Sequence, residues 1–166
     1  MQRIISFLFA LLLVALLGVH GAEIHTVHFV NRCNTGTPKL VQGNTVLASG
    51  SDYTSHVPLI GAKAYLQIQD PIPLLDRCGL NGSGCTTVET NLVNPTSPGS
   101  GSRTDISLAL PYKYSVKTGF GYYAGCDGAG ASCGGENCNA AMKQTTDTYL
   151  QVACERNNVN LIITFC

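Results

Sequence analysis

Apolar and polar residues alternate in two neighbouring segments of the chain, residues 86–92 and 104–110. A period of two predicts strands with one buried face. Glu89 and Asp105 fall on the polar side of these segments, so pairing of the two strands would place both carboxylates on one exposed sheet face. Between them, residues 94–102 are rich in Pro, Ser and Gly, which predicts a flexible surface connection.

Short alternating segments of the same kind occupy most of the chain, and none has a sustained 3.6-residue period. They lie at residues 24–31, 39–42, 45–48, 62–68, 112–122, 148–154 and 159–165. Gly43-Asn44 predicts a tight hairpin turn, and residues 155–158 predict a second hairpin between the last two strands. Many short strands punctuated by Gly and Pro predict an all-β domain, either an antiparallel sandwich or a flattened barrel.

The first 21 residues have the pattern of a secretory signal peptide. Arg3 precedes an apolar run at residues 4–17, and small residues near Gly21 favour cleavage after that position. A retained anchor is the alternative interpretation. The run is short for a membrane span, and no other is long enough to cross a bilayer. We therefore expect one domain, residues 22–166, in a protein secreted to the extracellular space or cell wall.

Charge argues against several classes of partner. The sequence contains ten Lys and Arg residues and ten Asp and Glu residues. It has no basic stripe of the kind that nucleic acid requires. A polar, weakly charged surface favours an uncharged partner such as a neutral glycan.

Tyr65, Tyr122 and Tyr123 are candidate platforms for sugar rings, although tyrosines in strands more often pack against other residues. We expect a monomer without a cofactor.

Eight cysteines lie after the predicted cleavage position. They are residues 33, 78, 85, 126, 133, 138, 154 and 166. An even number of cysteines behind a signal peptide implies disulfide bonds, and eight allow 105 connectivities, so the count alone selects none. No CxxC pair is present, and an oxidising compartment disfavours free thiolates, so we expect no metal site.

Five strings, taken in chain order, resemble the thaumatin-like proteins, the pathogenesis-related group 5 family. They are VHFVNRC at 27–33, TTVETNL at 86–92, TDISLAL-PYKYSV at 104–116, GCDGAGASC at 125–133 and NLIITFC at 160–166. The resemblance implies a disulfide-bonded β-sandwich core. The chain is short for the family and resembles its small type, in which the second domain is reduced to a loop, here residues 127–144.

The resemblance also implies how the cysteines pair. By position it gives Cys33–Cys166, Cys78–Cys85 and Cys126–Cys154, and it leaves Cys133–Cys138 as the fourth pair. Asn81 begins a glycosylation sequon, Asn-Gly-Ser, inside the small Cys78–Cys85 loop, where we expect it to be exposed.

Members of this family share an acidic cleft built from one Arg, one Glu and three Asp, which binds β-1,3-glucan and in some members hydrolyses it. Glu89 and Asp105 match two of these positions. The expected Arg and the next Asp are Gln67 and Leu110 in this sequence, and the last Asp belongs to the reduced region. Asp127 is a nearby acid that matches no motif.

Three function classes follow from these residues. A glycosidase needs one protonated and one ionised carboxyl group, for which we predict Glu89 as general acid and Asp105 as base or nucleophile. A binding module would hold wall glucan in the same cleft without cleaving it. A defence or effector-like protein would use the sandwich only as a stable carrier. Because two cleft positions are altered, the sequence favours binding over hydrolysis.

Overall fold

Two sheets of short strands form the protein in the computed structural model, which describes residues 22–68 and 78–166. The predicted signal peptide, residues 1–21, lies outside the described residues. Within these two ranges, no helix has the length and apolar character needed to cross a membrane.

The smaller sheet has five strands in the order β4-β1-β12-β8-β9. These are β1 His25–Asn31, β4 Tyr53–Ser55, β8 Thr118–Tyr123, β9 Gly130–Cys133 and β12 Asn160–Phe165. The larger sheet runs β10-β7-β6-β5-β2-β3, and β11 also pairs with β7. Its strands are β2 Thr37–Gln42, β3 Thr45–Ser49, β5 Leu59–Gln67, β6 Thr87–Leu92, β7 Ser102–Ser107, β10 Ala141–Met142 and β11 Val152–Cys154.

The core lies between the inner faces of the two sheets. Large apolar side chains from both sheets are buried there, among them Leu40, Leu66, Val88, Leu92 and Ile106 from the larger sheet and Val27, Leu161, Ile163 and Phe165 from the smaller. The predicted all-β, disulfide-bonded sandwich is therefore confirmed. Both sheets are mixed rather than purely antiparallel, because β1–β12 and β10–β7 pair in parallel.

Two predicted strands are shorter than their sequence patterns indicate. Segment 112–122 forms a strand only in its second half, where β8 begins at Thr118 and ends at Tyr123, one residue beyond the predicted segment. Before it, the Ser115 N–H donates to Thr86 Oγ1 and the Thr86 N–H donates to Ser115 Oγ, so side chains take the place of a strand ladder. In segment 148–154, a turn of 3₁₀ helix at Thr148–Leu150 precedes β11.

The connections near the end of the chain also differ from expectation. The hairpin predicted at residues 155–158 is wrong, because β11 pairs with β7 in the larger sheet and β12 lies between β1 and β8 in the smaller. Segment 127–144 contains β9 and β10, so it contributes a strand to each sheet instead of forming only a loop. The Gly43-Asn44 hairpin is confirmed, with Gln42 opposite Thr45 and Gly43 at a positive φ of 55°.

Three of the expected disulfide bonds are present: Cys33–Cys166, Cys78–Cys85 and Cys126–Cys154. Cys33 and Cys166 are 133 residues apart, and closing so long a loop stabilises the fold by on the order of 5 kcal/mol in the chain-entropy model. The Cys126–Cys154 bond joins the segment after β8 to β11 and so ties the two sheets together. Three disulfides are compatible with an extracellular protein.

The small loop closed by Cys78–Cys85 contains a 3₁₀ turn at Leu80–Gly82. Asn81 adopts a positive φ of 63° in this turn and is half-buried, rather than fully exposed as we expected. Its neighbour Leu80 is the exposed residue, with 79% of its surface accessible.

The fourth expected disulfide is absent, and Cys133 and Cys138 are free thiols. The two thiols are neighbours, and each sulfur also contacts a backbone carbonyl: Cys133 Sγ lies 3.4 Å from Gly135 O, and Cys138 Sγ lies 3.7 Å from Ser132 O. Burial, and secondly the neighbouring Cys138 thiol, raise the pKa of Cys133 to about 11. Because the thiolate is the reactive form of cysteine, Cys133 is a weak nucleophile at neutral pH.

The thiol pair makes the cysteine state directly testable. Alkylation of the unfolded protein without reductant should modify two cysteines, Cys133 and Cys138, because the other six are bonded. Peptide mass mapping identifies the modified positions, and the Cys133→Ser/Cys138→Ser variant should take up no label. An unlabelled wild-type chain with a 133–138 cross-linked peptide would show that the fourth disulfide forms.

Candidate functional site

A row of three charged side chains crosses the outer face of the larger sheet. Lys63 on β5 lies opposite Glu89 on β6, and Glu89 lies opposite Asp105 on β7. Directly opposed residues on neighbouring antiparallel strands have Cβ atoms about 4.5–5.5 Å apart, so their side chains interact. Residues next to these three in sequence point into the core between the two sheets, so the row itself lies on the outer face of the larger sheet.

The row forms the floor of an open cleft with a volume of about 440 Å³. One wall comes from residues 109–112, and the other from the segment around the 3₁₀ turn Thr148–Leu150. Apart from the row, the lining includes Gly61, Thr90, Asn91, Arg103, Leu110, Pro111, Tyr112, Met142, Thr145, Thr148 and Gln151. The cleft therefore combines ionised, hydroxyl, amide and apolar groups.

Asp105 occupies a break in the pairing along the outer edge of β7. The strand Val152–Cys154 pairs with positions 102–104, and Ala141–Met142 pairs with positions 106 and 107. Between these two strands, Gln151 Nε2 donates to Asp105 Oδ1 at 3.1 Å. The other carboxyl oxygen, Oδ2, is buried and has no hydrogen-bond partner among the described residues.

The environment of Asp105 changes its acidity. The residue is only 4% exposed, and this burial raises its pKa from 3.8 to about 6. The hydrogen bond from Gln151 lowers the pKa, and the charge of Glu89 raises it, each by less than burial does. Asp105 is therefore protonated below about pH 6, where an ordinary aspartate is ionised.

Glu89 lies in a different environment from Asp105. Its Oε1 is 3.4 Å from Lys63 Nζ and accepts a hydrogen bond of 3.1 Å from the hydroxyl of Tyr112. Lys63 also donates to the Tyr112 oxygen at 2.6 Å, so the three side chains form a closed triangle. The ammonium group compensates the charge of Glu89. The two carboxyl groups thus have contrasting surroundings, one buried and partly unpaired, the other ion-paired.

The structure brings the two predicted site residues together but changes their setting. Glu89 and Asp105 are directly opposed on β6 and β7; the alternation predicted that they would share one face if these strands paired. The prediction of an exposed sheet face is wrong for Asp105, because the segment containing Gln151 covers it. Leu110 lines the cleft and is 91% exposed. Gln67 is not among the lining residues of the cleft.

The remaining acid considered from the sequence has a structural role. The carboxylate of Asp127 accepts hydrogen bonds from the backbone N–H groups of Ala124 and Gly125, and so holds the turn that follows β8. Two of the tyrosines considered as sugar platforms, Tyr65 and Tyr122, are buried.

Sequence reasoning missed most side chains of the cleft, among them Lys63, Arg103, Tyr112 and Gln151. A signal existed for Lys63 and Arg103, since each lies on the polar side of an alternating strand that contacts β6. No comparable signal existed for Tyr112 and Gln151, which reach the site from irregular segments.

No set of three or more His, Cys, Asp or Glu side chains comes together as a metal site within residues 22–68 and 78–166. Comparison with protein-family models and with curated proteins found no match for this chain.

The raised pKa of Asp105 predicts a pH-dependent stability difference. The preference of the folded state for protonated Asp105 contributes its full stability below about pH 4, near the ordinary pKa of 3.8. This contribution is lost as the pH rises through the folded-state pKa of about 6. Asp105→Asn, which cannot ionise, should therefore be more stable than wild type at pH 7.5 by on the order of 2–3 kcal/mol. At pH 3.5 this gain should disappear. Urea unfolding across this range measures the difference.

Glu136→Gln is the matched control, because Glu136 is an exposed carboxylate outside the cleft lining. Its stability relative to wild type should not vary with pH in the same way. Parallel pH curves for wild type and Asp105→Asn would contradict a raised pKa at Asp105.

Proposed function

We propose that this chain is a secreted thaumatin-like protein that binds β-1,3-glucan, or a related neutral cell-wall polysaccharide, in the cleft over Glu89 and Asp105. The observation that carries the proposal is the open cleft over the carboxyl pair, whose floor holds Asp105 with one buried carboxyl oxygen that has no hydrogen-bond partner in the described chain. Buried polar atoms are nearly always paired, and a sugar hydroxyl would supply the missing partner once the Asp105 side chain turns its buried oxygen toward the cleft.

The balance of charge in the cleft supports an uncharged ligand. Two cations, Lys63 and Arg103, accompany two carboxyl groups, Glu89 and Asp105. Such a surface has no net preference for an anion or a cation, and the Lys63–Glu89 pair already compensates itself.

The other lining residues support a carbohydrate in particular. A sugar ring presents hydroxyl groups at its edge and C–H groups on its faces. Thr145, Thr148 and Gln151 offer hydrogen-bonding groups on one wall, whereas Leu110 and Pro111 offer apolar surface on the other. Sites that bind polar small molecules combine apolar lining with a few convergent polar groups in this way.

The proposed setting is extracellular. The apolar run at residues 4–17 supports export, and the three disulfides support folding in an oxidising compartment. We propose that the secreted form is a monomer at the cell wall, with Asn81 as its glycosylation position. Its resemblance to thaumatin-like proteins supports the choice of β-1,3-glucan.

Binding to insoluble curdlan, a β-1,3-glucan, tests the proposal. Wild type should be retained by curdlan, and Glu89→Ala and Asp105→Ala should each weaken retention by about 10-fold or more, because each removes a hydrogen-bonding group with charge. Glu136→Gln should bind as wild type does. Equal retention of all four proteins would place binding elsewhere, and no retention of wild type would favour the defence or effector-like class.

Hydrolysis of the same glucan is the second candidate function, and the contrasting environments of the two carboxyl groups favour it. Asp105 keeps its proton to a higher pH, and Glu89 is compensated by Lys63. These environments suit Asp105 as general acid and Glu89 as nucleophile or base, the reverse of the roles predicted from the sequence. Their directly opposed positions, with Cβ atoms about 4.5–5.5 Å apart, let both carboxyl groups approach one glycosidic bond.

The release of reducing sugar from laminarin separates this second candidate from binding alone. A hydrolase should lose activity in both Asp105→Asn and Glu89→Gln. If wild type binds curdlan but releases no sugar, the cleft is a binding site only.

A further inference from the structure

A second groove continues the cleft beyond Glu89 and Asp105. It has a volume of about 260 Å³ and shares Asn91 and Arg103 with the cleft. These two residues lie opposite each other on β6 and β7, two positions along from the carboxylate pair. Since alternate residues of a strand face the same way, both pairs lie on the same outer face.

The far wall of this groove is the connection between β6 and β7, which its composition predicted to be flexible. Hydrogen bonds hold it in place instead: the N–H groups of Gly99 and Gly101 donate to the carboxylate of Glu155 at 3.2 Å. A side chain at position 101 would collide with the Cys154 carbonyl, since its Cβ would lie 2.4 Å from that oxygen. The wall is therefore built by close backbone packing.

Arg103 is oriented by this wall. Its Nη2 donates to the carbonyl of Gly99 at 2.9 Å, and within the described residues this is the single side-chain hydrogen bond of the guanidinium group. A guanidinium has five N–H donors, so most of them remain available to a ligand. Opposite, Asn91 Oδ1 accepts from the Gly61 N–H at 2.6 Å, and the amide NH₂ group has no acceptor among residues 22–68 and 78–166, so it can donate to a ligand.

We propose that Asn91 and Arg103 form a second sugar-binding subsite, so that the protein holds an extended run of glucan units along β6 and β7 rather than a single sugar. This inference rests on the proposed glucan-binding function. The outer face from Ser107 to Gly101 spans six residues of chain, or about 20 Å at 3.4 Å per residue. The oriented donors of Asn91 and Arg103 and, two positions along, the carboxyl group of Asp105 match the hydroxyl groups of a neutral chain.

Calorimetric titration with laminari-oligosaccharides, from the disaccharide to the heptasaccharide, tests this inference. Wild-type affinity should rise with chain length until both grooves are filled. In Arg103→Ala the gain in affinity from short to long chains should fall by about 10-fold, because a hydrogen bond from a charged donor contributes about 1.5 kcal/mol or more.

Two further variants keep the test independent of folding. Ile60→Ser changes an exposed side chain of the same groove without touching a hydrogen bond, and it should also reduce the length-dependent gain. Arg32→Ala removes an exposed arginine outside both grooves and should behave as wild type.

The outcomes distinguish this inference from the proposed function. If short and long chains bind wild type and Arg103→Ala with the same ratio of affinities, the second subsite is wrong, while binding over Asp105 stands. If no oligosaccharide binds wild type at any length, the proposed function fails and this inference fails with it.

Discussion

The register of three neighbouring strands is the constraint on which the site depends. Pairing of β5, β6 and β7 places Lys63, Glu89 and Asp105 in one row on the outer face, while the residues next to them in sequence fill the core. A slip of one residue in any of these strands would turn its charged side chain into the core and expose an apolar one. Burial of the core and assembly of the cleft are therefore consequences of the same pairing.

Within that row, the surroundings of each carboxyl group decide what it can do. Glu89 lies beside an ammonium group and a tyrosine hydroxyl. Asp105 is covered by the segment that leads into β11, and one of its oxygens lacks a partner there. This arrangement costs stability whenever Asp105 ionises, and a ligand that hydrogen-bonds the free oxygen would recover part of that cost.

The alternation of the strands predicted the sandwich and, if the two strands paired, a shared face for Glu89 and Asp105, because a period of two reports directly on which face is buried. The rest of the site depends on long-range packing that leaves no periodic signal. Tyr112 lies in a segment that alternates like a strand but bonds to side chains, and Gln151 reaches the site only because β11 pairs with β7.

A crystal structure with a bound laminari-oligosaccharide is the most direct test of the account. It should show the sugar chain in the cleft over Glu89 and Asp105, with a hydroxyl group within hydrogen-bond distance of Asp105 Oδ2. An oligosaccharide bound on another surface, or one that lies in the cleft and leaves that oxygen without a partner, would contradict the central claim.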